Sequence, residues 1–252
     1  TGQQSVRILG SAPVEKEQVT VDGRTVTVAR ASLDLVPADY GDAIVYARVT
    51  EEGSGAQDVA FFTEQLGNLL ADQGITDAVT LMGYSMGGSI VTAFAAGHPD
   101  RVSRVLLVAA AGMEIRTPMF DRLCRALPVF GDWMHAGFAA GRVRRGAFAS
   151  PKPADIADMQ AFQLARRGYL PAVLASQRGA LSEGQFEAHR TLGRLGIPVV
   201  AVWGRLDRTI PLSAMGKLTE WSRDVRHEEV ADAGHALPYT HPVATVRALL
   251  DA

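Results

Sequence analysis

The run Gly83-Tyr84-Ser85-Met86-Gly87, with Gly88 next, constrains this chain more than any other feature. It follows Ala78 to Met82 (AVTLM), a short apolar run that reads as a buried strand. It leads into Ser89 to Ala96, a small-residue stretch that reads as a helix ending near His98-Pro99. A serine on a tight strand-to-helix turn adopts strained backbone angles and keeps its hydroxyl exposed, while glycines two residues either side leave room for the neighbouring strand and helix. The start of the helix also turns backbone N–H groups, that of Met86 first, toward a developing negative oxygen. A pentapeptide with two glycines arises by chance easily; its strand–turn–helix setting is what points to Ser85 as a nucleophile and Met86 as an oxyanion donor.

The rest of the chain supplies a sheet for that turn. Val102 to Ala109 and Ile197 to Trp203 are continuous apolar runs, the pattern of parallel strands covered on both faces. Val225 to Val230 is a weaker strand and Val243 to Leu250 a closing helix. Asp58 to Gln73 has helical spacing, with Gly74 as its stop. Ala43 to Val49 reads as another strand. Gln18 to Val28 alternates apolar and polar residues around Asp22-Gly23, a hairpin signal because that turn needs positive φ. Alternating strands and helices predict an α/β fold with a mostly parallel sheet flanked by helices. Met113 to Arg194 interrupts this rhythm, rich in Met, Phe, Trp and Arg and broken by prolines. It reads as short helices inserted over the carboxyl ends of the strands, where open α/β sheets bind ligands. The expected organisation is a core of residues 1–112 and 195–252 and a helical cap of residues 113–194.

Serine alone is a poor nucleophile and needs a base. Of six histidines, His235 lies in the loop AGHALP after the last strand and before the last helix, at the carboxyl edge of the sheet. His241 looks like the lead-in to the final helix, and His98 a helix-end residue. His135 and His189 lie in the insertion, where either could touch substrate. For the acid that orients the imidazole, Asp207 follows the IPVVAVW strand in GRLD, at the same edge. Alone it would read equally well as a loop or capping aspartate. Its rivals Asp224 and Asp232 do not follow a buried strand.

The order Ser85, Asp207, His235 in these contexts resembles the α/β-hydrolase superfamily. AAGHPDRVSRVLLVAAAG (Ala95 to Gly112) is similar to that family's helix and strand after the nucleophile. IPVVAVWGRLD and ADAGHALPYTHP are similar to its acid and histidine segments, and the resemblance runs from about Asp58 to the C-terminus. GYSMGG resembles esterases, monoacylglycerol-lipase-like enzymes and carbon–carbon hydrolases of aromatic ring cleavage. Haloalkane dehalogenases and epoxide hydrolases carry aspartate where this chain has Ser85. The resemblance implies a serine hydrolase cleaving a carboxylic ester through an acyl-enzyme. The alternatives are a carbon–carbon bond hydrolase for a ring-cleavage-type diketone and a non-catalytic ligand-binding relative.

The N-terminal part departs from that pattern. Family members follow the opening hairpin with a strand ending in His-Gly, whose loop gives the second oxyanion donor, and no His-Gly pair occurs here. Only SLDLVPADYGD lies between Ala31 and Ala43, so by family spacing roughly 25 to 30 residues are missing. A stretch omitted with the numbering closed over it, a natural or engineered deletion, and a rearranged sheet using Leu33 to Val36 all fit.

Composition narrows the partners. With 252 residues and a formal net charge of −2, the length suits one α/β domain with an insertion, and the charge argues against nucleic acid or anionic membrane as main partner. The longest apolar stretch, Val105 to Met113, is far short of the roughly 20 residues needed to span a bilayer. The single cysteine, Cys124, forbids an intrachain disulfide. A cytoplasmic location is expected, although a processed secreted form would look the same. His235 and His241 lack an acidic cluster, and no P-loop or dinucleotide fingerprint occurs, so neither metal nor cofactor is expected. The expected partner is a small apolar ester-type substrate, in a pocket drawing on Tyr84, Phe120, Trp133, Met134 and Phe138. The basic cluster Arg142, Arg144, Arg145, Arg166 and Arg167 reads as a solvated face or a contact for a carboxylate-bearing substrate. Oligomeric state is left open.

Overall fold

The computed structural model describes residues 15–21, 24–30, 57–127, 129–149, 158, 162–164 and 168–250. The chain divides into two compact units, Thr1–Glu52 and Gly53–Ala252. The first contains strands β1 (Glu15–Val21) and β2 (Arg24–Arg30), paired antiparallel from Glu15 opposite Arg30 to Val21 opposite Arg24. This is the register that a two-residue Asp22-Gly23 connection demands. The expected strand at Ala43 to Val49, the stretch from Ala31 to Ala43 and the side chains of Arg142, Arg144, Arg145, Arg166 and Arg167 lie outside the described residues.

The second unit opens with α1 (Val59–Asp72). Asp58 caps it by accepting the Phe61 N–H at 2.8 Å, and Gly74, at φ 64°, ends it in the left-handed conformation that favours glycine. Strands β3 (Val79–Tyr84), β4 (Val102–Val108), β5 (Val199–Gly204) and β6 (Arg226–Val230) form a parallel sheet in the order β3-β4-β5-β6. Helix α2 (Met86–Gly97) joins the first pair. Alternate residues of the apolar runs enter two separate cores, as a two-residue period requires. Val105, Leu107, Val199, Ala201 and Trp203 pack with Leu70, Phe94, Leu192 and Leu218 on one face; Leu106, Val108, Val200 and Val202 pack with Leu237 and Leu249 on the other. Every residue of β5 is buried, which explains why its sequence shows no polar alternation.

Between β4 and β5 come α3 (Met119–Ala126), α4 (Phe130–Ala149), α5 (Tyr169–Arg178) and α6 (Phe186–Leu195). Helices α3, α4 and α5 pack on one another, whereas α6 packs on α2 and on α7 (Ser213–Trp221). The two ends of the segment meet. The Gln185 N–H donates to the Gly112 carbonyl at 2.8 Å, and a Cβ on Gly112, at φ 104°, would lie 2.7 Å from the Gln185 side chain. The chain closes with α8 (Leu237–Thr240) and α9 (Pro242–Leu250). No helix among the described residues is long and apolar enough to cross a membrane.

His189 sits inside this packing rather than at an open surface. It is 1% exposed on α6 beside Trp221, with ring centroids 6.1 Å apart, and its Nδ1 has no hydrogen-bond partner. Burial pushes its pKa down from 6.5 to about 4. The unfolded chain therefore takes up this proton first as the solution is acidified. The stabilisation is full above about pH 6.5 and is lost as pH falls toward about 4. Denaturant titrations at pH 7 and about pH 4.5 should find roughly 2 kcal/mol of acid destabilisation that a His189→Gln variant lacks.

Candidate active site

The residue between β3 and α2 is Ser85, and its backbone is at φ 52° and ψ −120°. That is the first central position of a type II′ turn, ordinarily occupied by glycine. Three backbone hydrogen bonds hold it there. The Ser85 N–H donates to the Val108 carbonyl at 3.0 Å, and its own carbonyl accepts the N–H groups of Gly88 and Ala111, both at 2.9 Å. The flanking glycines act differently from one another. A Cβ on Gly83 would lie 2.3 Å from the Gly87 carbonyl oxygen, and one on Gly88 would lie 2.3 Å from the Ala110 Cβ. A Cβ on Gly87 would meet nothing within 4 Å. The room predicted on both sides of the serine is thus made by Gly83 and Gly88; Gly87 contributes the backbone that Gly83 approaches.

His235 lies in the loop between β6 and α8. Its Nε2 is 3.0 Å from Ser85 Oγ, and its Nδ1 is 2.8 Å from Asp207 Oδ2. Asp207 is buried in the loop after β5, and its other oxygen, Oδ1, accepts the N–H groups of Thr209 at 2.7 Å and Ile210 at 2.8 Å. Both carboxylate oxygens are thus engaged, which fixes the orientation of the side chain. The imidazole proton then resides on Nδ1, leaving Nε2 to accept from the serine hydroxyl. The acid and histidine loops are tied together by Arg205 N–H to the Val230 carbonyl at 3.0 Å and Leu206 N–H to the Ala233 carbonyl at 2.9 Å. The Met86 N–H, at the first position of α2, has no acceptor within its helix.

Tyr84, one of the expected pocket residues, braces the histidine. Its hydroxyl donates to the His235 carbonyl at 2.8 Å, and the two rings lie 5.4 Å apart. Burial, with Tyr239 and Asp207 nearby, pushes the phenol pKa well above its ordinary value, so Tyr84 stays neutral and keeps this bond. The other pocket candidates belong to α3 and α4. Phe120 meets Phe138 edge-on, Trp133 stacks on Phe130, Met134 is half-buried, and Trp133 and Phe138 are 68% and 59% exposed.

His98, His227 and His241 have other partners. His98 stacks on Phe94 at 4.5 Å, while His241 bonds Thr240 and faces Asp232 at 3.4 Å. Asp224 is exposed. Trp203 Nε1 donates to His227 Nδ1 at 3.1 Å, which fixes the proton on the far nitrogen facing Thr219 Oγ1 at 3.0 Å; burial lowers the His227 pKa. No group of three or more His, Cys, Asp or Glu among the described residues stands close enough to hold a metal ion.

Sequence comparison decides the family. The profile of the alpha/beta hydrolase fold matches residues 50–242. The chain belongs to the alpha/beta hydrolase family. It is 25% identical over 167 residues to the pimeloyl-[acyl-carrier protein] methyl ester esterase of Aeromonas hydrophila, covering 64% of this chain and 65% of that protein. It is 26% identical over 179 residues to the 2-hydroxymuconate semialdehyde hydrolase of a Pseudomonas species, covering 67% and 61%. This alpha/beta hydrolase chain therefore spans less than two thirds of the length of both relatives. Among solved structures, a thermophilic esterase from Thermogutta terrifontis superposes with a TM-score of 0.60 at 21% identity, over 78% of this chain and 72% of the esterase. At that identity the match speaks for the fold alone.

Two substitutions test the local architecture. Gly88→Ala should destabilise the fold by about 1–3 kcal/mol through overlap with Ala110, and an added Ala110→Gly should recover part of the loss in chemical denaturation. Tyr84→Phe should cost about 1 kcal/mol, with faster amide exchange confined to the His235 loop.

Proposed function

We propose that this chain is a serine hydrolase that cleaves carboxylic esters of apolar acyl or aryl substrates through an acyl-enzyme. The observation that carries the reading is the unbroken hydrogen-bonded line from Asp207 through His235 to Ser85. His235 Nε2 takes the hydroxyl proton as Ser85 Oγ attacks the ester carbonyl, and Asp207 stabilises the resulting imidazolium. The Met86 N–H donates to the oxygen that becomes negative. Collapse of the adduct breaks the ester C–O bond, and His235 returns its proton to the departing alcohol. Water then attacks the acyl-enzyme by the same route in reverse, releasing the acid and restoring the serine.

Among the described residues, the Met86 N–H is the oxyanion donor of this reading. Helices α3 to α5 are read as a cap forming one wall of the acyl pocket, with Phe120, Trp133, Met134 and Phe138 as its apolar contribution. A second reading, carbon–carbon bond hydrolysis of a ring-cleavage-type diketone, draws on the similarity to the Pseudomonas semialdehyde hydrolase.

Hydrolysis of p-nitrophenyl butyrate should fall by roughly 10⁴-fold or more in Ser85→Ala and His235→Ala variants, with KM little changed. Fluorophosphonate should label the parent and leave Ser85→Ala unlabelled. A substrate profile in which a vinylogous diketone is consumed and esters are not would move the assignment to the second reading. No Ser85-dependent turnover and no labelling would overturn both.

A further inference from the structure

Away from Ser85, His235 and Asp207, a cavity of about 770 Å³ opens between α3, the end of α5 and the linker after β4. It is lined by Ile115, Thr117, Arg122, Arg125, Ala126 and Arg178. Arg122, Arg125 and Ala126 share one face of α3 through their three- and four-residue spacing. The three arginines are not equivalent. Arg178 is committed to the fold: it donates to Asp132 at 2.7 Å, to the Cys124 carbonyl at 2.7 Å and to the Arg125 carbonyl at 3.3 Å. It thereby caps the free carbonyls at the end of α3, and Asp132 balances its charge, the guanidinium holding that carboxyl below its ordinary range.

Among the described residues the Arg125 side chain reaches only Thr117 Oγ1, at 3.5 Å, and the exposed Arg122 side chain makes no hydrogen bond or ion pair. Each guanidinium offers five donors in a flat fork suited to a carboxylate. Helix α3 carries two arginines and one aspartate, Asp121, and both arginines line the cavity. The walls are also held in advance. Arg178 fastens the end of α3, and the linker is fixed by the Arg116 N–H, which donates to the Thr209 carbonyl at 2.8 Å. Ile115 and Ala126 supply an apolar margin beside the charge.

We infer that this cavity binds a small organic monoanion, its carboxylate held by Arg122 and Arg125 and a short hydrocarbon portion resting on Ile115 and Ala126. The carboxylate belongs either to a free acid or to the far end of an ester substrate. Only the second source rests on the proposed hydrolase activity.

Isothermal titration of the full chain with hexanoate should give saturable binding that weakens with added salt, while hexanol gives none. An Arg122→Gln/Arg125→Gln double variant should bind hexanoate at least about ten-fold more weakly. Arg122→Gln alone, which removes no internal bond, should give part of that loss with an unchanged thermal midpoint. Arg205→Gln, whose guanidinium pairs with Glu229 elsewhere, should bind as the parent does. Binding should persist in Ser85→Ala, so a failure of the hydrolase reading leaves this measurement intact. With an active parent, KM for the acidic ester mono-p-nitrophenyl adipate rising in the double variant, and that for p-nitrophenyl hexanoate unchanged, would identify the substrate's own acid as the ligand. Equal KM values beside weakened hexanoate binding would identify a separate acid. Absence of hexanoate binding to the parent, or equal affinity in a folded double variant, would overturn the inference.

Discussion

The close approach of two backbones at Gly83 and Gly88 is the constraint on which the carboxyl edge of this sheet depends. With no side chain at either position, β3 runs directly under the first turn of α2 while α2 lies against the segment following β4. The connection between them is a single residue turned to positive φ, Ser85. A non-glycine residue held so costs on the order of 1–3 kcal/mol, and the three backbone bonds around it to Val108, Gly88 and Ala111 offset that cost. The outcome is a hydroxyl raised above the strand ends at a position rigid enough for the β5 and β6 loops to meet it.

Those loops meet it because they are coupled to each other first. The backbone of Arg205 and Leu206 bonds to Val230 and Ala233, and a Cβ on Gly204 would lie 2.6 Å from the Ala233 carbonyl oxygen. Asp207 and His235 therefore move as one piece, which Tyr84 ties back to the strand carrying the serine. The loops carrying Asp207 and His235 are held by each other's backbone groups, and Ser85 by those of Val108, Gly88 and Ala111.

How much of this was legible beforehand varies with the physics involved. The strands of the parallel sheet were readable because burial on both faces leaves continuous apolar runs at 102–109 and 197–203. Ser85 was readable because its strain demands glycines nearby. Asp207 was less distinct, since Asx-type bonding to Thr209 and Ile210 also occurs in ordinary turns; the Asp-Arg-Thr-Ile spacing was a signal for it. The role of Tyr84 was not legible, because its partner is a main-chain carbonyl with no sequence signature. The same holds for Arg178, whose partners are the carbonyls ending α3 and one aspartate on another helix. The position of His189 in the insertion is compatible with a substrate contact, whereas the amphipathic α6 turns it inward beside Trp221.

The meeting of Gly112 and Gln185 has a consequence for how such a chain can diversify. The excursion through α3, α4 and α5 departs and returns at that neck, and it is stitched to the body again where Ser176 and Ala180 bond Gln57 and where the Arg116 N–H bonds the Thr209 carbonyl. Insertions are best absorbed between these anchors, because a change of length across any of them pulls on the segment that leads into β5.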